Sequence, residues 1–486
     1  MLTIYVLLLG LARVLLSDGI QIDEAEQSYL SQWFSLGYDI QPPLYTWLTI
    51  GLNQVFGNHY WVYVFFRMVL LLFSFYGLYR IFSHLGKDTK IGLAAIAFSL
   101  LLFQFSTESL RQTHTVLVTL ASILTILCLI RIKENSELKD YILLGVALSM
   151  GILAKYNFLI LVSSLCIAVA LLPQWRSFLF TWKTGVTALI VILLVSPHFV
   201  WVLQHLNGLV TDVGTDLGTD EEFGFLSGRV KGLGKLFEKT FGFLVGFLIV
   251  FGGFHFKQFK TARKNSSEWI QFFEYFFLAV ILQFILLVLI FNATNFTARW
   301  MQPFFVLFPG YCFLKFYPNG IPLKSWKPFK WLGYIGGIAI ISVVIARTAV
   351  LPALLQKPVW LNKPHTQFCE DMQPILQEHQ IDLIVTNHIL LGGYFRMVYP
   401  ERKVIVLEEK YARISDYQLD KNTLIAWSWA WVEGKEDGVK KGKAPKDVVK
   451  TLQSFNGERI EVDMITYDYH YCPTKKCSYD YIILKN

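Results

Sequence analysis

The strongest constraint on this chain is its supply of long apolar runs. A helix that crosses a bilayer needs roughly 20 predominantly apolar residues, and such runs recur along the first 350 positions. Eleven segments are predicted to span, at about 1–18, 60–82, 91–107, 114–131, 141–154, 157–172, 184–202, 237–255, 271–292, 300–317 and 331–350. Several sit near the lower end of that length, so re-entrant or tilted segments are expected among them. Only 16% of the residues are charged, against about 25% in an average soluble domain. The net charge of +8 is better explained by basic residues at cytoplasmic helix ends than by nucleic acid. The six cysteines are too few and too scattered for a disulfide scaffold, and Cys128, Cys166 and Cys312 read as packing residues. Met1–Ser17 is followed by no small-residue cleavage site, so it is read as a retained first helix rather than a signal peptide.

Lys and Arg placement sets an orientation. With the N-terminus in the cytoplasm, one set of loops holds sixteen basic residues; the other holds six, Arg111, Lys155, Arg229, Lys231, Lys235 and Arg299. The richer set is assigned to the cytoplasm. An odd number of spans then puts the region after 351 outside, in the periplasm of a two-membrane bacterium. There the composition changes. IDLIVTNH, RKVIVLEE and NTLIAWSWAW read as short buried strands, DVVKTLQSFNG as a helix with a Gly stop, and RIEVDMITYDYHY and SYDYIILKN as closing strands. The alternation predicts a small α/β domain over 351–486. Cys472 and Cys477 are expected to bracket a turn, where a disulfide fits an oxidising compartment better than a metal site does. Lys435–Lys446 reads as a solvated loop.

The first outer loop, 19–59, carries Ile22–Trp47, IDEAEQSYLSQWFSLGYDIQPPLYTW, which holds no Lys or Arg. Ile22, Ala25, Tyr29, Trp33 and Leu36 share a helical face, and Glu24, Ser28, Ser31 and Ser35 the other. This periodicity predicts an amphipathic helix lying on the membrane surface. Asp23 reads as its N-cap, with Glu26 completing a capping box. Asp23 or Glu24 also reads as a catalytic carboxylate that accepts a proton from an attacking nucleophile; the two duties are compatible. Gln41-Pro42-Pro43 stiffens the return to the membrane, and Pro43 suits the start of the next helix.

An early DEAEQ, a short amphipathic helix and QPPLYTWL, followed by ten more spans and an outer domain, resemble the polytopic glycosyltransferases of GT-C fold. The likeness is to the bacterial branch of the protein O-mannosyltransferase superfamily, glycosyltransferase family 39. That branch includes the aminoarabinose and galacturonic acid transferases acting on lipid A and lipopolysaccharide core. The resemblance covers about residues 1–350 and implies a mostly α, polytopic inner-membrane enzyme of GT-C architecture. It also implies a polyprenyl-phosphate-linked sugar donor, a lipid or glycan acceptor and inverting single displacement on the periplasmic face. It makes Asp23 the candidate catalytic carboxylate. Members of the family often carry an acid just before the Pro motif; here Ile40 holds that position, with Asp39 one step earlier.

If the site faces outward, polar residues at the outer helix ends should converge on it. Arg111, Lys155 and Arg299 suit a lipid phosphate, two through bidentate guanidinium contacts and Lys as a point charge; snorkelling to headgroups is the competing reading. Gln41, Tyr45, His114, Tyr156, Asn157 and His198 are the expected substrate-binding set. His114 and His198 also suit phosphate, a metal or a plain structural role, and no residues are assigned to a metal, although a divalent cation is left open. Glu108 is expected to pair with Arg111 at i,i+3. The Asp-rich 207–225 stretch reads as a solvated acidic loop or a lid. The rival functions are a lipid-linked sugar transporter or flippase, a protein O-glycosyltransferase, and a scaffolding membrane protein.

Overall fold

The computed structural model describes residues 2–38, 41–178, 180–219, 224–408, 411, 422–429, 431–432, 435–436, 444–453, 455, 458–461 and 464–485. Asp39 and Ile40, where the family's second acid was sought, lie outside them, as do Asp220–Phe223 and most of Lys435–Lys446. The described residues are mainly helical, with strands confined to the C-terminal region.

Among the described residues, six helices are long and apolar enough to cross a membrane: Tyr60–Leu85, His114–Asn135, Trp182–Gln204, Leu226–His255, Glu268–Phe291 and Leu323–Leu355. Thr89–Ser99 and Phe103–Leu110 make a seventh if the pair, bent by 89°, is one span. The other expected spans are helical but short or broken. Leu2–Leu16, Leu138–Ala154 and Phe158–Leu171 have 15, 17 and 14 residues. Segment 300–317 divides into Ala298–Phe305 and Phe308–Phe316, the second with Pro309 in its first turn, where a missing N–H costs nothing. Hydropathy reads apolar content correctly here but cannot see these breaks.

The chain divides into two compact units that are not contiguous in sequence. One comprises 1–3, 40–45 and 69–340, the other 4–39, 46–68 and 341–486. In the first, helix Leu138–Ala154 packs against His114–Asn135 and Trp182–Gln204. Aromatic rings fill much of its interior: Phe98 lies 4.9–6.1 Å, centroid to centroid, from Phe247, Phe251, Phe313 and Phe329. The Asp-rich stretch is helical over Leu206–Leu217, capped by Gly218 in the left-handed region at φ 66°. It is therefore a helix rather than a loop as far as Gly218.

The second unit contains a mixed sheet. Its strands are β1 (Leu383–Thr386), β2 (Lys403–Val406), β3 (Thr423–Trp429), β6 (Glu458–Glu461), β7 (Ile465–Tyr469) and β8 (Cys472–Lys485); β4 (Trp431–Val432) and β5 (Lys435–Glu436) form a separate pair. The order is β2-β1-β3-β8-β6, with β7 also on β8; β1 is parallel to β2 and β3, and the rest pair antiparallel. β1, β2, β3 and the helix Lys446–Gln453 fall where the sequence placed them; RIEVDMITYDYHY divides into β6 and β7, β8 begins six residues before the expected SYDYIILKN, and Lys435–Glu436, expected in a loop, is a strand. The disulfide expectation is corrected. Cys472 and Cys477 both lie on β8, both buried and not joined by a disulfide. The β7–β8 register shifts between them: Asp468 pairs with Lys476 and Tyr469 with Cys472, so Pro473–Lys475 have no partner on β7 and interrupt the ladder as a turn would. The turn that joins β7 to β8 lies just before Cys472, at Tyr471, whose φ is 62°.

The outer-loop helix Ile22–Leu30 is part of this unit's core. Ile20, Ala25, Tyr29, Leu30 and Tyr38 pack in one cluster with Phe368, Tyr394, Tyr479 and Ile483, and Trp33 packs against it. Ala25 meets helix Ile389–Val398 at Gly393, where an added Cβ would lie 2.5 Å from the Ala25 Cα. Ser28 donates to the Gly393 carbonyl at 2.9 Å. The membrane-surface reading of this helix is thus overturned: Glu24 and Ser28, placed on its solvent face by periodicity, are 0% exposed. A 3.6-residue period identifies a helix but not whether lipid or protein covers it. Gly393→Ala is expected to destabilise the protein by about 1–3 kcal/mol, as overpacking does. Gly185→Ala, where a Cβ meets nothing within 4 Å, is the control. Equal thermal unfolding of the two detergent-purified variants would contradict the close approach.

Candidate active site

The carboxylates of the outer loop are set by local backbone. Gln21 is extended (φ −79°, ψ 163°) and Ile22 begins the helix. The Glu24 carboxylate accepts from the Gln21 N–H at 2.6 Å. The capping box is therefore Gln21–Glu24, two residues earlier than expected. Asp23 lies inside the first turn, half-buried, and is not the cap. Glu26 instead accepts from the Tyr411 hydroxyl at 2.8 Å. Burial, and then the charge of Glu26, push the Tyr411 phenol well above its usual range, so it stays protonated and donates.

Glu24 is also the centre of a buried ion triad. One carboxylate oxygen is hydrogen-bonded by Arg67; the other lies 3.4 Å from the Arg13 guanidinium. Arg13, Glu24 and Arg67 are 2%, 0% and 0% exposed. Arg13 also donates to the carbonyls of Ser17, at 3.0 Å, and Gly19. Sequence reasoning missed both arginines. Their signal was present, since Arg13 and Arg67 interrupt apolar runs and an ionisable group at membrane depth is a functional hypothesis by default. Counting basic residues in loops alone passed over them.

The other expected site residues lie in the first unit, at helix junctions. His114, 5% exposed, bonds the Ala154 carbonyl through Nδ1 at 3.1 Å and lies 5.3 Å from the Tyr45 ring. Lys155, half-buried, donates to the Thr115 hydroxyl at 3.0 Å. Tyr156 and His198 are stacked, with the Tyr156 hydroxyl 3.2 Å from His198 Nε2. Asn157 donates to the Trp300 carbonyl at 3.4 Å, next to Arg299. Arg111 and Arg299 are exposed, and Arg111 lies 3.9 Å from Glu108 as its spacing suggested. Gln41 is half-buried ahead of helix Leu44–Phe56, which starts directly after Pro43. A third residue missed from sequence links these junctions. Gln302 is fully buried and donates to Ser109 at 3.3 Å and Thr119 at 3.1 Å. It ties the turn before Arg111, the helix that carries Thr115, and the helix begun by Arg299. Asp23 and Glu24 belong to the second unit, so the expected site residues divide between the two. Among the described residues, no three His, Cys, Asp or Glu side chains group so as to hold a metal ion.

Residues 40–201 match the family described as dolichyl-phosphate-mannose-protein mannosyltransferase. Two lipopolysaccharide core galacturonosyltransferases of Rhizobium johnstonii are similar over most of their length. RgtB is 26% identical over 96% of this chain and 92% of its own, and RgtA 25% identical over 88% and 85%. Among solved structures, ArnT from Cupriavidus metallidurans bound to undecaprenyl phosphate superposes with a TM-score of 0.60 at 11% identity. The match covers 99% of this chain and 97% of that one. Its apo form gives a TM-score of 0.53 at 12% identity, over 98% and 96%. The fold is thus the GT-C fold of ArnT. The mannosyltransferase-family match covers 40–201, and the chain is a membrane glycosyltransferase.

Removing one member of a buried ion pair strands its partner and typically costs 3–5 kcal/mol. Arg67→Ala is therefore expected to lose about 3–5 kcal/mol of unfolding free energy, and Glu24→Gln combined with Arg67→Met to recover part of it. Parent-like melting of Arg67→Ala would show that the triad adds no stability.

Proposed function

We propose that this glycosyltransferase moves a sugar from a polyprenyl-phosphate carrier to lipid A or lipopolysaccharide core on the periplasmic face of the inner membrane. The observation that carries this reading is likeness along nearly the whole chain to two lipopolysaccharide core galacturonosyltransferases. The fold shared with an ArnT structure that holds undecaprenyl phosphate supports the donor class. In this reading 1–350 is the catalytic membrane region and 351–486 a periplasmic α/β domain, with the N-terminus cytoplasmic.

The reaction is a single displacement. An acceptor hydroxyl oxygen attacks the anomeric carbon; the bond from that carbon to the phosphate oxygen breaks, and polyprenyl phosphate leaves with inversion. Asp23 is the base or orienting group for the hydroxyl proton, a role that needs a carboxylate within hydrogen-bond reach of the attacking oxygen. Glu24 is a positioning residue: both its oxygens are engaged by Arg13, Arg67 and the Gln21 N–H, which fixes the turn that carries Asp23. Arg111, Lys155 and Arg299 balance the charge that grows on the departing phosphate. Gln41, Tyr45, His114, Tyr156, Asn157 and His198 contact the sugars.

The test is mass spectrometry of lipid A and core oligosaccharide from a deletion strain and its complemented derivatives. The deletion should lack one sugar that wild-type protein restores. Asp23→Asn, at equal protein level, should fail to restore it, with kcat reduced about 100-fold or more. Unchanged glycans in the deletion strain, or full restoration by Asp23→Asn, would overturn the assignment. Carrier-linked sugar that crosses liposomes without product formation would favour a flippase instead.

A further inference from the structure

The second unit contains a cavity that the transfer chemistry does not use. It lies at the carboxyl ends of the parallel strands β1 and β3. From β1 the chain passes through Asn387 and His388 into helix Ile389–Val398 and on to β2. It then crosses to β3 on the other side of β1. Where strand order reverses in this way, a crevice opens at the carboxyl ends, and ligands of α/β sheets bind there. Here it is a cavity of about 270 Å3 lined by Lys363, His365, Asn387, His388, Leu390, Leu391 and Ser428. That is just below the usual range for ligand pockets and suits a single small group.

Two of the lining residues hold buried polar atoms without a partner among the described residues, His365 Nε2 and Asn387 Oδ1. His365 is 1% exposed, and its Nδ1 lies 2.9 Å from the Tyr479 hydroxyl. Burial, and then the charges of Lys363 and His388, hold its imidazole well below the usual range, so it is a neutral hydrogen-bonding group. A buried polar atom left unpaired is costly, and two in one cavity favour a ligand that satisfies both.

The chemistry of that ligand follows from the lining. Lys363 is 4% exposed, with its ammonium 3.9 Å from the Trp360 ring centroid. It only donates, so it favours an anion; the Asn387 Oδ1 only accepts, so it asks for a hydroxyl. A carboxylate or phosphate alone meets the first demand and not the second. The helix N-terminus is already capped: the Ile389 N–H donates to Glu408 and the Leu390 N–H to His388, each at 3.1 Å. The anion therefore falls to Lys363. We propose that this cavity is a saccharide subsite for one sugar residue that bears a carboxylate or phosphate, with its hydroxyls on Asn387 and Ser428. Assigning that sugar to the acceptor glycan rests on the glycosyl-transfer reading; the binding itself does not.

The experiment is ligand-observed NMR titration of full-length protein in detergent with galacturonic acid, galactose 6-phosphate and galactose. At least one acidic sugar should bind at least tenfold more tightly than galactose, and which one binds distinguishes carboxylate from phosphate. Lys363→Met and Asn387→Ala should each weaken that binding at least tenfold, with Ser428→Ala as a second, milder probe should either fail to fold. In the transfer assay, Asn387→Ala should raise KM for the acceptor at unchanged kcat. Absence of acidic-sugar binding, galactose binding equally well, or variants binding like wild type would overturn the subsite. If wild-type protein transfers no sugar, the transfer reading fails while the titration still decides the cavity.

Discussion

The second unit depends on one buried carboxylate. Taking an ion out of water costs several kcal/mol, and only close, complete pairing offsets it. Glu24 achieves this by using both oxygens. Arg67 and Arg13 bond from two helices, and the Gln21 N–H from the Glu24 helix's own cap. The carboxylate thus ties together the end of the first apolar helix, the start of Tyr60–Leu85 and the loop helix between them. Its position is hard to vary, because any shift of the loop helix would expose two guanidinium groups to an apolar interior without their partner. The close approach of Gly19 to this corner has the same character: a Cβ there would lie 2.4 Å from the Leu361 carbonyl oxygen.

This arrangement also separates two neighbours that look alike in sequence. Asp23 and Glu24 differ by one methylene and one position, which on a helix turns the side chain by about 100°. Glu24 turns into the arginines, while Asp23 stays half-buried on the turn they hold. The orientation of Asp23 is set by the turn it sits on, and side chains on rigid, packed elements are held more precisely than those on loops. Here the element is a nine-residue helix, too short to persist alone. Its packing on Gly393 and its place in the C-terminal core supply the rigidity.

Much of this was legible in the sequence. Apolar runs located the helices, and alternating strand and helix patterns located β1, β2 and β3 to within about two residues, while the six-residue extension of β8 toward Cys472 and the division of β6 from β7 were not visible. What failed did so for physical reasons. The loop helix was laid on the membrane because Tyr29 and Trp33 share a face, yet the chain segments that bury them, around Tyr394 and Tyr479, lie more than 350 residues away, and periodicity holds no information about such partners. Asp23 was favoured as cap because Asp is a better cap than Gln in general, but Gln21 alone has the extended backbone that a cap requires. Pro473 and the two Lys between Cys472 and Cys477 do interrupt the β7–β8 ladder, where Tyr469 pairs with Cys472 and Asp468 with Lys476, but both thiols are drawn into the buried core and no disulfide joins them.

Arg13, Arg67 and Gln302 were missed for a different reason. Each is a polar residue inside an apolar helix, where its cost is obvious and its partner is not. Sequence gives the cost and withholds the pairing, so the useful inference is about location only. The two kinds of buried polarity then divide the labour. Around Gln302 the network is neutral, built of hydroxyls and an amide. Around Glu24 it is ionic, two guanidinium groups on one carboxylate. An amide among hydroxyls orders helix junctions without a net charge, whereas a carboxylate between guanidiniums fixes its turn because separating them would leave a charge unpaired in an apolar interior.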